Sequence, residues 1–153
     1  MKIEEHIQSI ALPAYKKAIV NLLFTSHWLN DEISDVLKPF DISTQQFNVL
    51  RILKGRKGKA ANLSSIQKRM IAKNSNATRL VDKLILKGLV IKETCETNKR
   101  KVEIFITAEG ELLLEKLNTV VESKEQHIVA KLSEEEQHTL TELLTKIRHT
   151  NHE

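Results

Sequence analysis

Ser75, Asn76, Thr78, Arg79 and Lys83 fall within nine consecutive positions. Short hydroxyl, amide and cationic side chains of this kind reach base edges and phosphate oxygens. Fifteen residues further on, Asn98, Lys99, Arg100 and Lys101 form a second polar, basic cluster. A cluster of that type can enter a minor groove, where an arginine is drawn by the enhanced negative potential, and Arg100 is the first choice for that role. Both groups lie in a segment, residues 51–101, that holds 15 basic side chains against three acidic ones (Asp82, Glu93, Glu96), a net +12. The rest of the chain nets −8. An acidic body with a concentrated basic middle is the footprint of a protein that sits on a polyanion, because Lys and Arg displace counterions from phosphates. Charge alone is equally consistent with a solvated, lysine-rich surface.

The elements that must position these residues are mostly helical. Pro13 suits the first turn of a helix, and Ile19, Leu22, Leu23, Leu29, Ile33, Val36 and Leu37 form a 3.6-residue stripe closed by Pro39. Ser43 and Gln46 make a capping box, with Ile42 and Phe47 spaced as its hydrophobic staple, for a second helix over about residues 44 to 54. After the basic loop Gly55 to Lys59, Ser64 and Gln67 suggest another capping box and a third, short helix. A brief polar break leads to a fourth helix, about 75 to 87, with Ala77, Leu80, Val81 and Leu84 as its apolar back and Gly88 past its end. The period then changes: segments 90–96 and 101–107 carry β-branched residues, with Val102, Ile104 and Ile106 on one face, and predict a hairpin. Thr107 can cap a further helix, and Ser133 with Glu136 a last one. The expected fold is mainly α with a small β-hairpin wing: a winged helix-turn-helix over residues 42–107, flanked by helices on both sides.

Other chemistry finds little support. With 153 residues, 41% apolar and 29% charged, four Gly and two Pro, the chain has the composition of one folded unit. It has no glycine-rich phosphate loop, no Gly-x-Ser-x-Gly elbow and no compelling carboxylate pair, so no enzyme and no cofactor are expected. Six histidines include no His-Glu-x-x-His pattern, and the pair His149 and His152 sits at the tail, so no metal is expected. The apolar runs are too short to span a bilayer and the start lacks the pattern of a secretion signal, which points to a cytoplasmic protein. Cys95 has no second cysteine to pair with, and a redox-responsive role beside the basic tip is the lesser of its two readings.

The stretch Asn76-Ala-Thr-Arg-Leu-Val-Asp-Lys-Leu-Ile-Leu-Lys-Gly-Leu-Val90, the wing Asn98-Lys-Arg100 and Ile106-Thr-Ala-Glu-Gly110 closely resemble the MarR (multiple antibiotic resistance regulator) family of winged helix-turn-helix transcription factors. The likeness runs from Ile42 to Leu117. Asn98 stands where that family usually carries an acidic residue, which removes the carboxylate that would orient Arg100. The resemblance implies dimerisation helices at residues 5–37 and 111–149 that interlock between two subunits, and an effector pocket between them and the DNA lobe, commonly for small aromatic or phenolic acids. Phe24, His27, Trp28 and Arg51 are the candidate lining residues, although Phe24 and Trp28 also fit a plain core role. Independently of family, acidic terminal helices rich in Leu, Ile and Val with no third layer to cover them favour pairing with a second copy. The expected function is that of a homodimeric double-stranded DNA-binding regulator, a ligand-responsive repressor reading an inverted repeat. The competing reading is a protein-interaction module whose basic face meets an acidic partner.

Overall fold

The computed structural model describes residues 3–6 and 12–149. A short helix α1 (Ile3–His6) precedes the long α2 (Ala14–Leu37), whose first turn begins directly after Pro13. Residues 7–11 of the expected N-terminal segment, and His152, lie outside the described residues. A 3-10 turn, Lys38–Phe40, carries Pro39 and ends at Asp41 in the left-handed region (φ 55°), so the chain turns sharply into α3 (Thr44–Lys54). Aspartate tolerates that conformation better than most residues. Ser43 and Gln46 form the reciprocal capping box, and the staple residues Ile42 and Phe47 are both buried.

Helix α4 (Leu63–Arg69) begins earlier than its expected cap. Asn62, not Ser64, is the N-cap: its side-chain oxygen accepts from the Ser65 N–H at 2.8 Å, while the Asn62 N–H donates to Ser65 Oγ. Capping by Asn62, two residues ahead of Ser64, brings Leu63 into the first turn, against the core. Helix α5 (Ala77–Leu86) also starts later than expected, with Asn76 as its cap and Ser75 outside it. Strands β1 (Val90–Thr94) and β2 (Val102–Ile106) pair antiparallel, with Val90 opposite Ile106 and Thr94 opposite Val102. On the outer edge of β2, Ala61 and Ile104 exchange two backbone hydrogen bonds at 3.0 and 2.8 Å, a bridge that satisfies part of the free edge.

Helix α6 (Ala108–Val129) leaves the hairpin through a close crossing. Thr107 caps it, donates from its hydroxyl to the Gly88 carbonyl at 2.8 Å, and donates its own N–H to the Leu89 carbonyl. Gly110 packs so tightly there that a Cβ would stand 2.2 Å from the Leu89 carbonyl oxygen, so only glycine fits. The last helix, α7 (Glu134–His149), is capped reciprocally by Ser133 and Glu136.

One apolar core joins the elements from the end of α2 through α6. Leu37, Val49, Leu50, Ile66, Val81, Leu84, Ile104 and Leu117 are completely buried in it. The buried apolar residues of α6, Leu114, Leu117 and Val121, lie in its first two-thirds, so this helix serves the winged lobe as well as the stem that it forms with α2. By contrast α7 buries none of its residues and α2 only Leu37. No helix among the described residues is long and apolar enough to cross a membrane.

Candidate nucleic-acid interface

The back of α5 is what fixes its front. Ala77, Val81 and Leu84 are buried, which turns Thr78, Arg79, Asp82 and Lys83 out to solvent. Among the described residues, no hydrogen bond or ion pair engages the side chains of Arg79 or Lys83. The two expected contacts ahead of the helix behave differently. The Asn76 side-chain oxygen accepts from the Arg79 N–H at 3.1 Å, so its acceptor is committed to starting the helix. Ser75 Oγ is buried without a hydrogen-bond partner among the described residues, although Ser75 itself lines the clefts beside the start of α5.

Two open clefts flank the start of α5. One, of about 380 Å³, lies between it and the N-terminus of α3 and is lined by Ser43, Gln45, Asn76, Arg79 and Lys83 among others. The other, of about 470 Å³, faces α4 through Ser64, Gln67, Asn76 and Thr78. Polar linings, two helix N-termini and two cations make the first cleft suited to a phosphate-bearing backbone.

What holds α5 at this angle was not visible in the motif. Gln67, expected to cap α4, spans the turn instead: its amide nitrogen donates to the Lys73 carbonyl at 3.1 Å and its amide oxygen accepts from the Ala77 N–H at 3.2 Å. Asn48 of α3 accepts from the Ile71 N–H at 3.0 Å. A glycine-free turn is thereby tied at its start, middle and end. Across the other side, Lys92 of β1 stands 3.6 Å from Asp82 of α5.

In the wing, Lys99, Arg100 and Lys101 are all exposed at the hairpin tip. Asn98 organises that tip through the backbone: its side-chain oxygen accepts from the Arg100 N–H at 3.1 Å, and its carbonyl from the Lys101 N–H at 2.8 Å. The amide thus sets the course of the chain at Arg100 without an ion pair. Cys95 sits below the tip, and the Thr97 hydroxyl at 3.2 Å, followed by the backbone N–H groups of Thr97 and Asn98, holds its thiol below the ordinary 9.0.

Several cations of the basic segment are used locally. Arg56 donates twice to the Ala60 carbonyl, Lys54 pairs with Glu111 at 2.9 Å, and Lys87 pairs with Asp41. The candidate effector residues fall into two places. Phe24, His27 and Trp28 share one side of α2 and are substantially exposed, whereas Arg51 lies on α3 with its guanidinium 5.6 Å from the centre of the Phe47 ring. Among the described residues, no cluster of His, Cys, Asp or Glu is arranged to hold a metal ion.

The comparisons agree with this architecture. The MarR family model matches residues 42–102. The organohalide-sensing transcriptional regulator RdhR, in its 2,4-dichlorophenol-bound form, superposes with a TM-score of 0.82 at 20% identity, covering 92% of this chain and 83% of that one. The MarR transcription factor from Planctomyces limnophilus gives 0.68 at 26% identity, covering 89% and 98%. MepR from S. aureus, in its complex with DNA, gives 0.72 at 24% identity, covering 86% and 94%. The segment that carries the winged helix-turn-helix, residues 42–102, is thus the part of this chain that matches the MarR family.

Proposed function

We propose that the protein is a homodimeric transcription regulator that binds an inverted repeat in double-stranded DNA, placing α5 in the major groove and the wing in the adjacent minor groove. One observation carries the reading: an amphipathic helix with a buried back (Ala77, Val81, Leu84) and unpaired cations on its front (Arg79, Lys83), set within a segment of net +12. Thr78, Arg79 and Lys83 are the contacts assigned to the major groove, and Lys99, Arg100 and Lys101 to the minor groove and flanking phosphates. Asn76 and Asn98 act by shaping the backbone at those contacts, and Ser75 lines the clefts beside them. The similarity to MepR in a DNA complex supports the same assignment.

Dimerisation is supported by the apolar faces that a single copy leaves in water. Ile19, Leu23 and Trp28 of α2 and Leu140 and Leu143 of α7 are 42–57% exposed, on helices with almost no core of their own. A two-fold pair would set the two copies of α5 about one DNA turn apart. Regulation by a small aromatic acid near Phe24, His27, Trp28 and Arg51, and repression by blocking a promoter, complete the proposal. Selection of bound duplexes from a random library, then titration of the winner at two salt concentrations, tests it. An enriched inverted repeat and a steep salt slope are the expected result. Binding without enrichment would instead favour an acidic protein partner for the basic face.

A further inference from the structure

The elbow between α2 and α3 is tied to the far end of α5. Asp41 ends the 3-10 turn with φ 55°, and Lys87 is the residue that closes α5, 46 positions later. The Lys87 ammonium donates to the Asp41 backbone carbonyl at 2.6 Å and also to the Asp41 carboxylate. Among the described residues this is the hydrogen bond that the Asp41 carbonyl receives, outside any helix or sheet ladder. The two ends differ in setting: the Lys87 side chain is 29% exposed and that of Asp41 95%. Lys87 is the held partner, lying along a cleft of about 780 Å³ between α2 and α5 whose lining includes Asp35, Lys38 and Lys83.

We propose that the Asp41–Lys87 contact is a latch that fastens the recognition helix directly to the elbow of the stem, and so sets the spacing at which the two copies of α5 in a dimer meet duplex DNA. The inference rests on the DNA-binding, dimeric reading. Helix α5 otherwise packs on α3, α4 and β1, all within the lobe, so this contact is a polar tie from α5 to the elbow where the stem begins. Asp41 is a positioning residue: a carboxylate has no attractive contact to offer a phosphate. That gives the test a sign. A lone acidic side chain near a DNA face repels every duplex, and removing it tightens all binding alike. A latch behaves oppositely at the preferred spacing.

The experiment compares wild type, Asp41→Asn, Lys87→Met and Lys87→Arg on the selected inverted repeat, on versions with one base pair added or removed between half-sites, and on unrelated duplex. Exposed pairs couple weakly, so the expected loss for Asp41→Asn at the best spacing is two- to fivefold, with a flatter spacing preference and no loss on unrelated duplex. Lys87→Arg keeps the charge and the donors and is expected to retain the preference that Lys87→Met loses. Uniform tightening by Asp41→Asn overturns the latch. Amide hydrogen exchange around residues 38–43 and 84–89 of the free protein reads the fastening without DNA: faster exchange in Asp41→Asn supports it, and unchanged exchange overturns it. Failure of wild type to select any sequence would count against the DNA reading instead, and the exchange result would still stand.

Discussion

Replacing Gln67 by leucine removes both ends of the brace that starts the recognition helix while conserving volume. The Lys73 carbonyl it releases belongs to an exposed residue and can turn to water. The Ala77 N–H cannot do so as readily, because Ala77 is 4% exposed. Leaving a buried donor unpaired costs about 1–3 kcal/mol, and the net loss of the solvated bond adds about 0.5 kcal/mol. The expected destabilisation is therefore about 2 kcal/mol, measured as a lower urea midpoint at unchanged slope. Gln67→Glu keeps an acceptor for Ala77 and loses only the donor to Lys73, so its cost should be well under half as large. Gln67→Leu alters no charge, so salt-driven binding to unrelated duplex should stay the same while binding to the selected site weakens; Gln67→Glu adds a carboxylate beside the interface and is read for stability alone. If Gln67→Leu matched wild type within about 0.5 kcal/mol in stability and kept its discrimination between duplexes, the brace would have no role in presenting α5.

Three further outcomes are expected. Gly110→Ala must push a Cβ to 2.2 Å from the Leu89 carbonyl, which cannot swing away while it accepts from Thr107; overpacking of about 3 kcal/mol, less about 1 kcal/mol of helix propensity, predicts a Tm lower by about 4–8 °C. A Tm equal to or above wild type would refute the close crossing. Arg100→Ala should weaken binding to the selected duplex about tenfold at moderate salt, and an unchanged Kd there would remove the wing from the interface. Cys95 should react with iodoacetamide with a midpoint below the ordinary thiol value of 9.0, because the hydroxyl and N–H groups that face its sulfur favour the thiolate, and Thr97→Val should raise that midpoint. No change on removing Thr97 would show that its hydroxyl does not reach the sulfur.

Local signals were legible in the sequence and longer-range ones were not. The Ser43–Gln46 box, the Ile42 and Phe47 staple and the Thr107 cap each need only three to five neighbouring residues, and the chain adopts them where the spacing places them. The apolar back of α5 was readable by period, and with it the outward face of Arg79 and Lys83. The expected start at Ser75 was early because Asn76 takes the cap, which leaves the preceding hydroxyl inside. Gln67 was misread because Asn62 and Ser65 cap α4 first and free its amide for partners six and ten residues on. Contacts such as Asn48 to Ile71 and Asp41 to Lys87 join residues 23 and 46 positions apart, and no pattern in the chain announces them before the helices pack. The candidate effector residues were drawn from the family resemblance, and they stand on two helices, with Arg51 over the Phe47 ring.

Helix α6 carries one more mechanical implication. Its 22 residues make a rod of roughly 33 Å at 1.5 Å per residue, clamped at one end by Thr107 and Gly110 and embedded along Leu114, Leu117 and Val121. Thr107 alone separates β2 from this rod, so a swing of α6 carries the hairpin with it. A tilt of about 5° at the free end is then a displacement of roughly 3 Å at the other, comparable to the length of a hydrogen bond. Whatever touches the distal turns of α6 therefore works with leverage on the lobe, and small rearrangements far from the basic face are enough to bring its contacts into or out of reach.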